Sequence, residues 1–221
     1  MSDLDDFKTT LDRTSLRNIY CVGRNYRLHA AELGNEVPTS PMLFTKPTHA
    51  AAEMTGGELR FPGTQGSLHY EAELVFAIGR PYEAGIRFDD LASAFTVGLD
   101  LTLREVQDKL KAKGHPWLAA KGFRNSAVLG RWLAYPGEEA LKSGDFGLRI
   151  NDQEVQRGSV RDMVFDLQTL ADFVALHYGL GPGDLLFTGT PAGVGALSDG
   201  DLLDARWNGE SVGSFVARIA R

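Results

Sequence analysis

A period-two alternation marks residues 69–79, His-Tyr-Glu-Ala-Glu-Leu-Val-Phe-Ala-Ile-Gly. The half from 74 to 78 is apolar and partly β-branched or aromatic, which favours a strand. Successive side chains on a strand face opposite ways, so Ala72, Leu74, Phe76 and Ile78 share one apolar face. Glu71 and Glu73 share the other, with Val75 and Ala77 behind them. Residues 94–102 repeat the layout. Phe95, Val97, Leu99 and Leu101 form an apolar face, while Thr96, Gly98, Asp100 and Thr102 form a small, polar one. The small neighbours are expected to leave open space in front of Asp100.

The remaining pattern fills in around this pair. Strands are predicted over 18–22, over 42–47 with a proline turn at its end, over 146–150 with a second strand after the turn at 151–154, and over 185–187. A closing hairpin spans 201–207 and 211–219 around Asn208-Gly209, a strong turn signal. Helices are predicted over 26–33, stopped by Gly34, and over 103–113, closed by Gly114-His115-Pro116. A third starts at Asp166 as N-cap and runs to 178, with Leu167, Leu170, Phe173, Val174 and His177 on a helical period. His177 reads as a packed or half-exposed residue rather than a ligand. Residues 50–68 are Gly-rich and loop-like, and 81–90 form a connection with room for a short helix. Residues 1–17 are polar and read as a peripheral segment. With no repeat, heptad, low-complexity tract or linker, residues 18–221 read as a single domain, α+β and mostly β.

Composition narrows the class. A chain of 221 residues is long enough for a sizeable core, and its net charge of −6 argues against a general nucleic-acid or anionic-membrane surface. Cys21 is the only cysteine, so no intramolecular disulfide and no cysteine-based zinc site are available. No apolar run reaches the ~18 residues of a membrane span. Four Asp among the first twelve residues fit neither a signal nor a transit peptide, so the cytoplasm is the expected compartment.

Candidate chemistry follows from the two polar strand faces. Glu71 and Glu73 lie roughly 7 Å apart along a strand. A lone Glu-x-Glu also fits a solvated edge, but Asp100 in an otherwise apolar strand is costly to bury unless paired or bound to a metal. Three carboxylates would fill half an octahedral shell, as Mg²⁺ and Mn²⁺ prefer. His29 and Glu32, three apart on a helix, form either a surface pair or a couple able to activate a water. Lys46 and Lys121 are open to anion contacts. The Gly- and Thr-rich stretch 188–195 leaves backbone N–H groups for an anion, without the spacing or Lys of a P-loop.

Several motifs, in order, give the chain a resemblance to the fumarylacetoacetate hydrolase family, in its short acylpyruvase-like branch. They are Cys-Val-Gly-Arg-Asn-Tyr at 21–26 with His29 and Glu32, Leu-Phe-Thr-Lys-Pro at 43–47, His-Tyr-Glu-Ala-Glu-Leu at 69–74 and Gly-Leu-Asp-Leu-Thr at 98–102. Arg-Glu-Val-Gln at 104–107, Pro-Trp at 116–117, Lys-Gly-Phe at 121–123 and Leu-Phe-Thr-Gly-Thr-Pro-Ala-Gly-Val-Gly at 186–195 complete the set. The resemblance implies a mixed β-roll or sandwich with a few peripheral helices, assembled as a homodimer. It implies Mg²⁺ or Mn²⁺ on Glu71, Glu73 and Asp100, with Lys121 supporting the metal and the substrate carboxylate. His29 and Glu32 then lie on a lid helix as the water-activating pair, and Arg24, Tyr26, Lys46, Gln107 and Thr190 belong to the substrate side. The implied reaction is hydrolytic C–C cleavage of an acylpyruvate, a 2,4-dioxo acid such as acetylpyruvate or fumarylpyruvate. Oxaloacetate decarboxylation or tautomerisation and hydroxydienedioate isomerisation are its alternatives, and a non-catalytic binding protein is a more distant one. Where many relatives carry Asp after Lys-Gly-Phe, this chain has Arg124, which changes the charge beside Lys121.

Overall fold

The structure, a computed structural model, describes residues 15–32, 34 and 36–220. The first fourteen residues of the expected peripheral segment therefore lie outside the described residues. Its end is well packed: Leu16 is buried in an apolar cluster, and the Arg17 N–H donates to the Gly183 carbonyl at 2.9 Å.

The fold is mostly β, a curled half-barrel sheet with a few helices around it. Ala72–Ile78 and Ala92–Asp100 are central to the eight-stranded sheet and pair antiparallel, with Ala72 opposite Leu99 and Glu73 opposite Gly98. Leu185–Phe187 flanks the first of them, followed by Ile19–Gly23 and Met42–Lys46. Ala127–Leu129 flanks the second, followed by Ala51–Glu53. A five-stranded sheet runs Gln153–Gly158, Phe146–Ile150, Leu202–Trp207, Glu210–Ala220 and Glu58–Pro62. Gly195–Ala196, Leu68–Tyr70 and Thr102–Leu103 make a small third sheet.

Alternation decides which core each side chain joins. Ala72, Leu74, Phe76, Ile78, Phe95, Val97, Leu99 and Leu101 fall in the larger core, shared with Phe215 and Leu203 of the five-stranded sheet. The Phe95 and Trp207 rings meet edge to face across that core at 5.1 Å. Val75 and Ala77 join Cys21, Trp132 and Phe187 in a second cluster on the opposite face. The central strands are thus covered on both sides, as an uninterrupted apolar run requires.

One detail of the polar face differs from expectation. Gly98 does not open space in front of Asp100. A Cβ there would lie 2.7 Å from Val75 Cγ2 and 2.9 Å from the Val128 carbonyl oxygen. The position is small because neighbouring strands and the second core already fill it.

Asp166 caps the Leu167–Tyr178 helix, its carboxylate accepting the Thr169 N–H at 2.8 Å. The helix buries Leu167, Leu170, Ala171 and Val174, while His177 is exposed and stacked on Phe173. The region 50–68, expected as loop, holds Ala51–Glu53 and Glu58–Pro62. Both strands pair in parallel with distant partners, Ala127–Leu129 and the C-terminal strand. No local pattern marks them because the partner, rather than an alternating face, supplies the order. Among the described residues no helix is long and apolar enough to cross a membrane.

Candidate functional site

Strand register builds the site. Glu71 interrupts the chain between Leu68–Tyr70 and Ala72–Ile78, and the Asp100 N–H donates to its carbonyl at 2.8 Å, which sets the two residues across from each other. Glu73 is two positions on, on the same face. One carboxylate oxygen from each of Glu71, Glu73 and Asp100 lies within 4.8 Å of the others. Their relative exposures are 5%, 2% and 1%, so each charge needs compensation from inside the protein.

Three cations supply most of it. Lys121 Nζ donates to Glu71 Oε2 at 2.7 Å, Asp100 Oδ2 at 2.6 Å and Thr102 Oγ1 at 2.6 Å. An ammonium has three donors, so all of Lys121's are committed. Arg104 Nη2 donates to Glu71 Oε1 at 2.6 Å and Nη1 to Gln107 Oε1 at 2.7 Å. Lys46 Nζ sits 2.6 Å from Asp100 Oδ1 as an ion pair without hydrogen-bond geometry, and donates to the Leu101 and Lys121 carbonyls.

Glu73 is treated differently from its neighbours. Among the described residues its carboxylate accepts one hydrogen bond, from the Gly189 N–H at 2.8 Å. Burial, then Asp100 and Glu71, push its carboxyl well above the ordinary carboxylate range. For Glu71 burial acts in the same direction, but Lys121 and then Arg104 outweigh it and hold that carboxyl low. For Lys121 burial favours the neutral amine, yet Asp100 and Glu71 prevail and keep it protonated.

This arrangement fits a divalent cation. Asp100 Oδ1 is buried without a hydrogen bond and Glu73 has no cationic partner among the described residues, both in a donor set made only of carboxylate oxygens. Hard, oxygen-preferring Mg²⁺ or Mn²⁺ matches such a set.

His29 lies on the short helix Arg27–Glu32, and its Nδ1 is 3.4 Å from Glu32 Oε2. Burial lowers the imidazole pKa below the ordinary histidine value, against opposing pulls from Glu71 and Glu32. The Glu32 carboxylate also accepts the Gly193 N–H at 3.1 and 3.2 Å. Two backbone donors of the 188–195 turn, read as free for an anion, are therefore taken by Glu73 and Glu32. Gly193 has a φ of +97°, and a Cβ there would lie 2.3 Å from the Val155 carbonyl oxygen, so only glycine serves.

These groups line one recess that opens to solvent. Glu71, Glu73, Asp100, His29, Lys121, Arg24, Gln107 and Thr190 line it, as do Arg104, Lys111, Phe44 and Trp117. Three expected site residues do not. Tyr26 is buried with its ring against Phe146 and borders a different hollow beside Arg27 and Met163. Lys46 sits behind Asp100, bound to protein groups rather than facing a ligand. Glu32 reaches the cavity only through His29. Thr190 spends its hydroxyl on the Ala72 carbonyl at 2.8 Å, and Arg124 is exposed away from the cavity. Among the residues missed are Arg104, Lys111 and Gln156. Arg104, three before Gln107, and Lys111, four after it, carried the helical-spacing signal that would have found them. Gln156, which ties Ala72, Thr190 and Pro191 together, carried none.

A closely spaced, buried carboxylate trio thus lies beside a buried histidine. The family model described as Fumarylacetoacetate (FAA) hydrolase C-terminal matches residues 18–220, and the chain belongs to the fumarylacetoacetate hydrolase family. It is an enzyme of that family. It is 37% identical to oxaloacetate tautomerase YcgM of Escherichia coli, over 90% of this chain and 91% of that one. It is 35% identical to the mitochondrial oxaloacetate tautomerase of Caenorhabditis elegans, covering 92% and 94%. The fumarylpyruvate hydrolase of Pseudomonas aeruginosa, solved with Mn²⁺ and pyruvate, superposes with a TM-score of 0.83 at 32% identity, covering 93% and 91%.

Proposed function

We propose that this enzyme interconverts the keto and enol forms of oxaloacetate, using a divalent cation on Glu71, Glu73 and Asp100. The relatives of that name support this reading over acylpyruvate hydrolysis, which the motifs placed first. The observation that carries it is the buried imidazole of His29 in the same cavity as the carboxylates, its Nδ1 3.4 Å from Glu32 Oε2. Tautomerisation requires a group that carries one proton between C3 and the 2-oxygen, and no nucleophilic water. With Nδ1 directed at Glu32, His29 Nε2 is the nitrogen left to take the C3 proton and return it to oxygen. Lys121, with all donors committed, orients Glu71 and Asp100 rather than moving that proton. Mg²⁺ or Mn²⁺, when bound, supplies Lewis-acid polarisation of the 2-oxo group.

The test is the decay of enol absorbance when oxaloacetate is added with Mg²⁺. His29→Asn should slow catalysed decay by roughly 10²–10⁴-fold, the usual range for a general base, and keep Mn²⁺ affinity. A wild-type protein that cleaves acylpyruvates and leaves the enol at its spontaneous rate would restore the hydrolase reading, which the Pseudomonas relative favours. Assembly as a homodimer belongs to the same proposal, and light scattering at low concentration checks it.

A further inference from the structure

The cavity is lined by two sets of charged side chains that differ in how far they are compensated. In the first, Glu71 and Asp100 are paired with Lys121, Arg104 and, behind Asp100, Lys46. In the second, Arg24 and Lys111 line the same cavity, and among the described residues neither makes an ion pair or a hydrogen bond. Lys111 is half-buried, and burial, then Arg104 and Arg24, lower its amine pKa. Surplus positive charge is therefore gathered where it is partly shielded from water.

Both groups are held in place. Lys111 follows Arg104 and Gln107 at helical spacings of three and four on the Arg104–Ala112 helix, so all three share one face. Its Nζ stands 5.4 Å over the Trp117 ring, and Trp117 in turn lies 5.6 Å from Phe44, whose other neighbour is Lys121 Nζ at 5.0 Å. An aromatic wall of two rings thus runs from the committed lysine to the uncommitted one. Arg24 has a left-handed φ of +59°, a conformation that costs a non-glycine residue about 1 kcal/mol. The next residue imposes it: buried Asn25 donates to the Phe165 and Thr188 carbonyls and accepts the Phe165 N–H. Strain kept by such over-determination is a mark of functional positions.

We infer that Arg24 and Lys111 cradle the second carboxylate of a dianionic 2-oxo acid whose oxo-acid end lies at the Glu71–Glu73–Asp100 site. This rests on the functional reading above and adds the substrate class: dicarboxylates, selected against 2-oxo acids that end in an alkyl group. Arg24 and Lys111 are specificity-determining residues and take no part in proton transfer.

The experiment uses the full chain with Mn²⁺ and calorimetric titration of two probes. One is pyruvate. The other is the oxaloacetate analogue with both C3 hydrogens replaced by fluorine, which keeps both carboxylates and cannot enolise. Lys111→Met and Arg24→Asn, the latter chosen because Asn tolerates left-handed backbone, should each weaken the dicarboxylate by about 10–100-fold, the range of a hydrogen bond to a charged group. Pyruvate affinity should stay within about two-fold, and Lys111→Arg should recover most of the dicarboxylate affinity. With oxaloacetate, KM should rise by more than kcat falls. Equal loss for both probes, or no loss for either, overturns the cradle. The functional reading fails separately: a wild type that prefers the dicarboxylate through these two residues but leaves the enol untouched keeps the cradle and removes the tautomerase. A wild type that tautomerises oxaloacetate while both variants retain the dicarboxylate preference does the reverse.

Discussion

Lys121 shows at the residue scale how much one buried charge organises. It holds Glu71, Asp100 and Thr102 at once, and its removal leaves two carboxylates buried with less compensation. Lys121→Met should lower unfolding free energy by about 3–5 kcal/mol in chelator, as for one partner taken from a buried pair. Added Mn²⁺ should recover part of it, since the cation supplies the missing positive charge. Urea midpoints unchanged from wild type would show that the carboxylates are solvated or protonated instead. The His29–Glu32 pair gives a prediction in pH. Burial lowers the His29 pKa, so the folded ring takes up its proton at lower pH than the unfolded chain, whose imidazole titrates near 6.5. Its contribution to stability is therefore present above that value and is lost as pH falls through the window below it. The acid limb of the rate profile belongs in the same window. Glu32 pulls the His29 pKa upward by hydrogen bond and charge, so Glu32→Gln should shift the acid limb of kcat/KM further toward low pH. A limb that stays put or moves upward would remove His29 as the titrating base.

At the scale of elements, the register between Ala72–Ile78 and Ala92–Asp100 places the three acids together, and Gly98 keeps that register close-packed. Gly98→Ala should destabilise by about 1–3 kcal/mol, the usual consequence of overpacking, because the Cβ meets Val75 and a backbone carbonyl that cannot give way easily. A thermal midpoint equal to wild type would mean the strands separate at little cost. Elements also explain why the turn at 188–195 carries so many small residues. Its N–H groups at Gly189 and Gly193 reach Glu73 and Glu32, tying the Leu185–Phe187 strand end to both the acid site and the His29 helix.

For the whole molecule, the site is a place where folding and ligand binding are coupled. The acids come from a strand break at Glu71, from Glu73 in a central strand and from that strand's neighbour, so a cation bridging them binds only the folded chain. At a concentration of 100 times its Kd it should add about 2.7 kcal/mol to stability. Mn²⁺ should raise the thermal midpoint of the wild type and leave a Glu71→Gln, Glu73→Gln double variant nearly unmoved. An equal rise in both would place the ion elsewhere.

The sequence by itself determined the strand faces around Glu71, Glu73 and Asp100, the Asp166-capped helix and the Asn208-Gly209 hairpin, because each rests on local periodicity or turn chemistry. It also marked the family through ordered motifs. Only the tertiary structure decided the rest. Glu58–Pro62 is a strand because the chain's last strand lies beside it, and Lys46 is an internal counter-ion because Asp100 lies against it, though the residues are 54 positions apart in the sequence. Tyr26 turns away from the cavity while Arg24, two residues earlier, faces it, since Asn25 is pinned between them. Burial and charge pairing depend on which distant segments meet, and neither is written in the spacing of any one segment.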